Sequence, residues 1–216
     1  MWKRMKKQGM GRRSKRIQKK IKRVSDILVS CAGLVLFFPI GLFIAGMVKL
    51  TSPGPVFFMQ ERPGYHRKKF KIYKFRTMYP GSETMIKGKE VMKNDSRVTG
   101  LGRFLRRTKL DEMPQLLNIL KGEMSLVGPR PERADSLADY TPFIEKRLDM
   151  RPGLTGLAQV SGNIYLDLQE RYCLDVYYVK HFSLLLDLKI VLRTIGVVLL
   201  GEERYKGRAL VKKRER

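Results

Sequence analysis

Between Asp26 and Lys49 the chain carries no charged side chain, and Ile27–Val48 is almost wholly apolar. That length is enough to span a bilayer's hydrocarbon core as a helix, which takes about 20 residues. The run is too long for the apolar core of a signal peptide, and no small-residue cleavage site is evident. A retained membrane segment is therefore the first constraint on the fold. Pro39 lies near its middle, with Gly33, Gly41 and Gly46 around it. Proline removes one backbone hydrogen bond and kinks a helix, which a membrane helix tolerates. Both flanks are basic. Lys3–Arg23 has no acidic residue, and Lys49 is followed by Arg62, Arg67, Lys68, Lys69, Lys71, Lys74 and Arg76. Positive charge marks the cytoplasmic side. With both flanks cytoplasmic, the segment enters and returns by one face, and a hairpin broken at Phe38–Pro39 meets that demand. The alternative is a single kinked span with a basic exterior domain; the flank charge favours re-entry.

The net charge of +25 on 216 residues has two concentrated sources, the basic arm and the tail after Gly207. Such blocks are solvated and attract anionic lipid head groups or nucleic acid. No helix-turn-helix, zinc-finger or RNA-binding signature supports nucleic acid as the partner. The length suits one domain with a sizeable core plus appendages. Cys31 and Cys173 give neither a disulfide framework nor a metal signature, and His66 and His181 are isolated.

The chemistry-bearing stretch is RFLRRTKLDEMPQLLNILKGEMSLVGPRP, residues 103–131. Arg103, Arg106, Arg107 and Lys109 precede the adjacent carboxylates Asp111 and Glu112. Pro114 suits the first turn of a helix, which the apolar Leu116, Leu117, Ile119 and Leu120 continue and Gly122 stops. Asp111 is thus expected at or near a helix N-cap, where anions are attracted and nearby basic residues add to the attraction. Two carboxylates in a phosphate-attracting pocket call for a bridging charge, and Mg²⁺ held by one or two carboxylates plus substrate phosphates is the usual one. Acidic residues in a first helical turn also offset the helix dipole without any further role, and GPRP can be a rigid turn alone.

Elsewhere, Val56–Gln60 and Phe70–Phe75 read as short strands joined by ERPGYHRKK. Lys71, Tyr73, Lys74 and Arg76 are candidate phosphate contacts. Residues 79–99 read as a polar loop with a short helix, and Met85 and Met92 there as packing or membrane contacts. Val98–Arg107 reads as a basic turn of helix leading to Asp111. Ala134–Arg147 reads as an amphipathic helix, Leu157–Val160 as a brief extended piece, and Leu166–Lys180 as a helix. Ser183–Leu200 is strongly apolar but interrupted by Asp187, Lys189 and Arg193. It fits an interfacial helix in the head-group plane or a buried core helix.

QERPG at 60–64, FKIYKFRTM at 70–78, LDEMPQLLNILKGEMSLVGPRP at 110–131, RPGLTGLAQVSG at 151–162 and LDVYYVKHFSLLLDLKI at 174–190 occur in one order. With the proline-containing apolar segment, they resemble the small bacterial sugar transferases, monotopic polyprenyl-phosphate phosphoglycosyl transferases, over roughly residues 20–200. Phe38 stands where the family often has serine, and Leu157 where it often has tryptophan. The resemblance implies a mostly helical α/β domain on the membrane, with a re-entrant helix hairpin, a short β-hairpin and interfacial amphipathic helices. It divides the chain into a basic arm (1–23), a membrane segment (24–50), a catalytic domain (51–202) and a basic tail (203–216). It implies transfer of sugar-1-phosphate from a UDP-sugar to polyprenyl phosphate, with release of UMP, as the first step of a surface glycan. Asp111 would be the nucleophile, forming an aspartyl phospho-sugar, and Asp111 and Glu112 would hold Mg²⁺. Lys74, Arg76, Arg106, Arg130, Pro131 and Gln159 would bind substrate. The implied location is the bacterial inner membrane with the catalytic domain in the cytoplasm, where homo-oligomers are compatible with the pattern.

Overall fold

The computed structural model describes residues 2–82, 95–205, 208, 210 and 211, with side chains from Arg13 onward. Met85 and Met92, and most of the loop expected over residues 79–99, lie outside the described residues. The protein is mostly helical. It opens on one long helix, α1 (Trp2–Thr51), followed by an antiparallel hairpin of β1 (Phe57–Pro63) and β2 (Lys69–Phe75). Then come α2 (Gly100–Thr108), α3 (Gln115–Lys121), β3 (Ser125–Val127), α4 (Pro142–Glu145), β4 (Gly153–Thr155), α5 (Leu168–Lys180) and α6 (Leu184–Leu200).

The expected chain break at Phe38–Pro39 is not there. α1 is helical on both sides of Pro39 and includes the basic residues ahead of the apolar run. A proline costs a helix one hydrogen bond and bends it without forcing a reversal. Burial along α1 explains what holds it. Lys22, Asp26, Ser30, Ile44 and Val48 are buried, at helical spacing on one face. Leu28, Val35, Leu36, Phe38, Leu42, Phe43 and Leu50 on the remaining surface are exposed. The inner face is tied to the rest of the chain at both ends. Lys22 Nζ pairs with Asp187 at 2.7 Å. Arg23 donates to the carbonyls of Ile119 and Leu120 at the C-terminal end of α3, where helix carbonyls run out of intrahelical partners. Asp26 accepts from Ser125 Oγ at 2.8 Å and from the Leu126 N–H at 3.0 Å. At the other end Ile44 and Val48 pack with Phe75 and Leu105.

The β1–β2 register pairs Phe57 with Phe75 and Pro63 with Lys69, two to three residues longer on β1 than the sequence pattern gave. α5 and α6 form where their periodicity placed them. Asp167 begins α5 with a capping box to Glu170, and the Ser183 hydroxyl caps α6. α6 is buried on one face and exposed on the other. Ile190 and Val197 sit in a core with Val127, Leu157, Tyr178 and Phe182, while Leu185, Leu188, Leu192, Ile195 and Leu199 are exposed. Two of its three mid-run charges make internal contacts: Asp187 pairs with Lys22 and accepts from the Tyr178 hydroxyl at 2.7 Å, and Arg193 donates to the Val160 carbonyl, while Lys189 is exposed.

Two expectations are corrected. Residues 134–147 are not one amphipathic helix. Thr141 caps the short α4, with Pro142 in its first turn, and 3-10 turns lie on either side. The extended piece near 157 lies earlier, at Gly153–Thr155, and pairs in parallel with β3, Ser125 against Gly153 and Val127 against Thr155. Leu157 is fully buried and Gln159–Ser161 is a 3-10 turn. The parallel pair needs glycine: a Cβ on Gly153 would stand 2.1 Å from the Gly128 nitrogen, and one on Gly128 2.3 Å from the Arg151 carbonyl oxygen. The GPRP and RPGLTG loops are therefore pressed backbone to backbone, joined by Gly128 N–H to Thr155 O and Gly153 N–H to Pro129 O, each 2.9 Å.

Candidate active site

The carboxylate pair sits in the turn between α2 and α3. Thr99 caps α2 through the Gly102 N–H. Lys109 ends it in the left-handed region (φ 60°), and Leu110–Glu112 form one 3-10 turn. Asp111 thus lies in a turn before α3 and not at its N-cap, which is Pro114 and makes no side-chain cap. Gly122 stops α3 at φ 83°, as its place after the apolar run implied.

Asp111 is buried, at 6% exposure. Glu112 Oε1 accepts from Lys74 Nζ at 2.6 Å and lies 3.4 Å from Arg130 Nη2. Arg106 donates from Nε to Thr77 Oγ1 at 2.8 Å. Lys109 Nζ pairs with Glu202 at 2.5 Å, and Glu202 also accepts from Asn163. The two carboxylates are driven apart. Burial, and then the Glu112 charge, push the Asp111 carboxyl up to about 6, against the pull of Lys74, Arg106 and Lys109. Burial works on Glu112 in the same direction, but Lys74 and Arg130 outweigh it and hold that carboxyl well below its ordinary range. Adjacent carboxyls whose environments separate their proton affinities can take different roles.

A small cavity open to solvent adjoins Glu112 and is lined among others by Arg62, Lys74, Gln115, Arg130 and Pro131. The Arg130 loop is held from behind. Arg147, 2% exposed, donates to the Arg130 carbonyl at 2.8 Å and to the Tyr140 hydroxyl at 2.7 Å, and pairs with Asp175 at 2.8 Å. Its guanidinium lies over the Tyr172 ring at 4.4 Å.

Of the residues singled out from sequence, the structure brings Lys74, Arg106, Arg130 and Pro131 around Asp111 and Glu112. It gives Arg76 and Gln159 other work. Arg76 is buried and donates from Nη2 to the carbonyl and hydroxyl oxygens of Ser52, both at 2.8 Å, where the chain leaves α1. Gln159 donates to the Leu154 carbonyl at 2.9 Å and supports the β4 loop. Arg62, Gln115, Arg147 and Glu202 are not marked in sequence as site residues. QERPG and DEMPQ contain two of them, Arg62 and Gln115, but nothing in sequence marks a polar residue as buried beside a site. Among the described residues no group of three or more His, Cys, Asp or Glu side chains stands together.

The chain is similar to known proteins over most of its length. The chain is 43% identical over 182 residues to an uncharacterized sugar transferase, EpsL, of Bacillus subtilis (strain 168), covering 84% of this chain and 89% of the relative. It is 43% identical over 187 residues to a UDP-N-acetylgalactosamine-undecaprenyl-phosphate N-acetylgalactosaminephosphotransferase of Aeromonas hydrophila. It is 39% identical over 207 residues to an undecaprenyl-phosphate galactose phosphotransferase of Salmonella typhimurium. In the last two the matched region spans 44% and 43% of the relative, so this chain corresponds to under half of their length. The family model for bacterial sugar transferases matches residues 17–201, and the chain belongs to that family.

Proposed function

We propose that the protein transfers sugar-1-phosphate from a UDP-sugar to polyprenyl phosphate at the cytoplasmic face of the bacterial inner membrane, and so begins a surface glycan. The observation that carries this reading is a buried aspartate, Asp111, beside a carboxylate held ionised by Lys74 and Arg130. The names of the Aeromonas and Salmonella relatives state the same class of transfer.

Two displacements account for the site. Asp111 Oδ attacks the phosphorus that bears the sugar, and the bond from that phosphorus to the bridging oxygen of the nucleotide breaks, releasing UMP. A phosphate oxygen of the lipid then attacks the same phosphorus and expels Asp111, which returns to its starting state. Splitting the transfer lets one small site serve a soluble donor and a lipid acceptor in turn. With its proton affinity near pH 6, Asp111 is largely ionised at neutral pH and still basic enough to attack. Lys74, Arg106 and Arg130 provide fixed positive charge for phosphate oxygens, the dominant requirement of phosphoryl transfer.

Asp111 and Glu112 also fit Mg²⁺. They are two hard oxygen ligands, the number Mg²⁺ takes from a protein when substrate phosphates complete its shell, and their mutual repulsion favours a cation between them. When bound, Mg²⁺ would neutralise phosphate charge.

Topology completes the reading. α1 is docked at Lys22–Asp26 and again at Ile44–Val48 on one domain. Between these points the Leu116 side chain comes within 3.0 Å of where a Cβ on Gly33 would stand. A helix fixed at both ends to one domain keeps both ends on that domain's side of the membrane. Its exposed apolar face, with that of α6, then enters the bilayer. The test is transfer of label from a UDP-[¹⁴C]sugar panel to undecaprenyl phosphate in detergent with Mg²⁺. Stoichiometric UMP and labelled lipid are expected from one or more donors; no labelled lipid from any donor would refute the assignment.

A further inference from the structure

Two residues that line the cavity beside Glu112 carry hydrogen-bond donors that the proposed displacements do not use. Gln115, three residues after Glu112 and first in α3, is 2% exposed, and its Nε2 has no hydrogen-bond partner among the described residues. Arg62 comes from β1. Its Nη1 donates to the Pro131 carbonyl at 3.4 Å and its Nη2 to Gln60 Oε1 at 2.6 Å, while its buried Nε has no partner among the described residues. Both side chains line one cavity with Lys74, Glu112 and Arg130. Buried donors are nearly always paired, so two unpaired ones on residues that line one cavity need a physical reason.

Their chemistry narrows what that space takes. A guanidinium Nε and an amide Nε2 can only donate, so the matching group is an acceptor. The charge around the cavity is positive: Arg62, Lys74 and Arg130 face Glu112 and Glu132. Burial, with the nearby Arg130 charge, holds the Arg62 guanidinium down at about 10, a strain that an anion would relieve. Both donors are placed by the fold. Arg62 is anchored to the PRP loop through Pro131, and Gln115 is fixed by the core packing of its neighbour Leu116.

We propose that Arg62 Nε and Gln115 Nε2 form an anion subsite that receives a phosphoryl oxygen of a substrate phosphate ester, beside the donors of Lys74 and Arg130. The identity of that ester rests on the phosphoglycosyl transfer reading. It is either the nucleotide-side phosphate of the donor or the phosphate of the lipid acceptor; the recognition chemistry is the same for both.

Full-length protein in detergent would be titrated calorimetrically with UMP and, separately, with farnesyl phosphate. Wild type would be compared with Arg62→Gln, Arg62→Lys, Gln115→Glu and Gln115→Leu. Gln115→Leu adds no charge, and Arg62→Lys keeps the charge while removing Nε, so a loss shared by these two is not an effect of changed charge; thermal melting would confirm that each variant is folded. Loss of one charge-assisted hydrogen bond should weaken binding roughly 10- to 100-fold, and Gln115→Glu, which turns a carboxylate toward the anion, should weaken it most. A loss with UMP assigns the subsite to the donor, and a loss with farnesyl phosphate assigns it to the acceptor. Unchanged affinity for both ligands in folded variants, or a wild type that binds neither, would overturn the subsite. These titrations decide it independently of turnover: a protein that bound as expected yet made no labelled lipid would refute the proposed function alone.

Discussion

Replacing Asp111 by asparagine should abolish turnover and at the same time stabilise the fold. The Asp111 carboxyl is raised from 3.8 to about 6, first by burial and then by Glu112. Each tenfold change in proton affinity is worth 1.36 kcal/mol, so ionised Asp111 costs the folded state about 3 kcal/mol. The sign follows from linkage. Between about pH 4 and pH 6 the folded protein keeps a proton that the unfolded chain has lost, so stability falls as pH rises through that window, and the cost is complete above pH 6. Asparagine carries no charge to desolvate, although its amide needs hydrogen bonds of its own, which leaves a net gain of about 1–3 kcal/mol at pH 7.5. For a chain of this size that is a rise in melting temperature of roughly 3–10 °C. Thermal unfolding of both proteins in detergent, with a chelator to remove divalent cations, would be followed from pH 4 to pH 8. The gap should open as pH rises. A variant no more stable than wild type at pH 7.5, or a gap independent of pH, would refute the electrostatic account of the dyad.

Lys74→Met removes the 2.6 Å partner of Glu112; kcat/KM should fall by roughly 100-fold or more, as expected for a charge placed to stabilise transferring phosphate, and steady-state assays with saturating Mg²⁺ would show it. Arg147→Met leaves Asp175 buried without its counter-ion and frees the Arg130 loop. It should cost about 3–5 kcal/mol in denaturant unfolding, with much of that recovered in Arg147→Met/Asp175→Leu. Asp26→Ala unpairs the Ser125 hydroxyl and the Leu126 N–H. A loss of about 1–3 kcal/mol and faster proteolysis near residues 13–26 are expected, whereas Ser25→Ala, on the exposed side of α1, should change neither.

The parts of this fold visible in sequence are those carried by periodicity and composition. The hairpin strands, α5, α6 and the apolar run of α1 each follow from their own residues. The dyad and its cations were also legible, because Asp111, Glu112, Arg106 and Lys109 lie in one stretch and Lys74 and Arg130 sit in patterned segments. What escaped depends on contacts between distant segments. The β3–β4 pair is three residues on each side and has no period to read; it forms because Gly128 and Gly153 let two loops touch. Residues 134–147 carry a helical pattern, yet Thr141–Pro142 restarts the helix inside it. Arg76 resembles Lys74 in sequence, but its guanidinium turns to Ser52 while Lys74 turns to Glu112. The basic flanks suggest a reversal at Pro39, but α1 continues through it and is held to the rest of the chain at Lys22–Asp26 and at Ile44–Val48.

The central claim is that Asp111 becomes covalently attached to the transferred phospho-sugar. The most direct test is the intact mass of detergent-purified protein incubated with Mg²⁺ and a UDP-sugar panel in the absence of lipid acceptor. An added hexose- or aminosugar-phosphate on wild type, absent from Asp111→Asn and discharged when polyprenyl phosphate is supplied, is the predicted result. An adduct of the same mass on both proteins would contradict it and move the nucleophile to another residue.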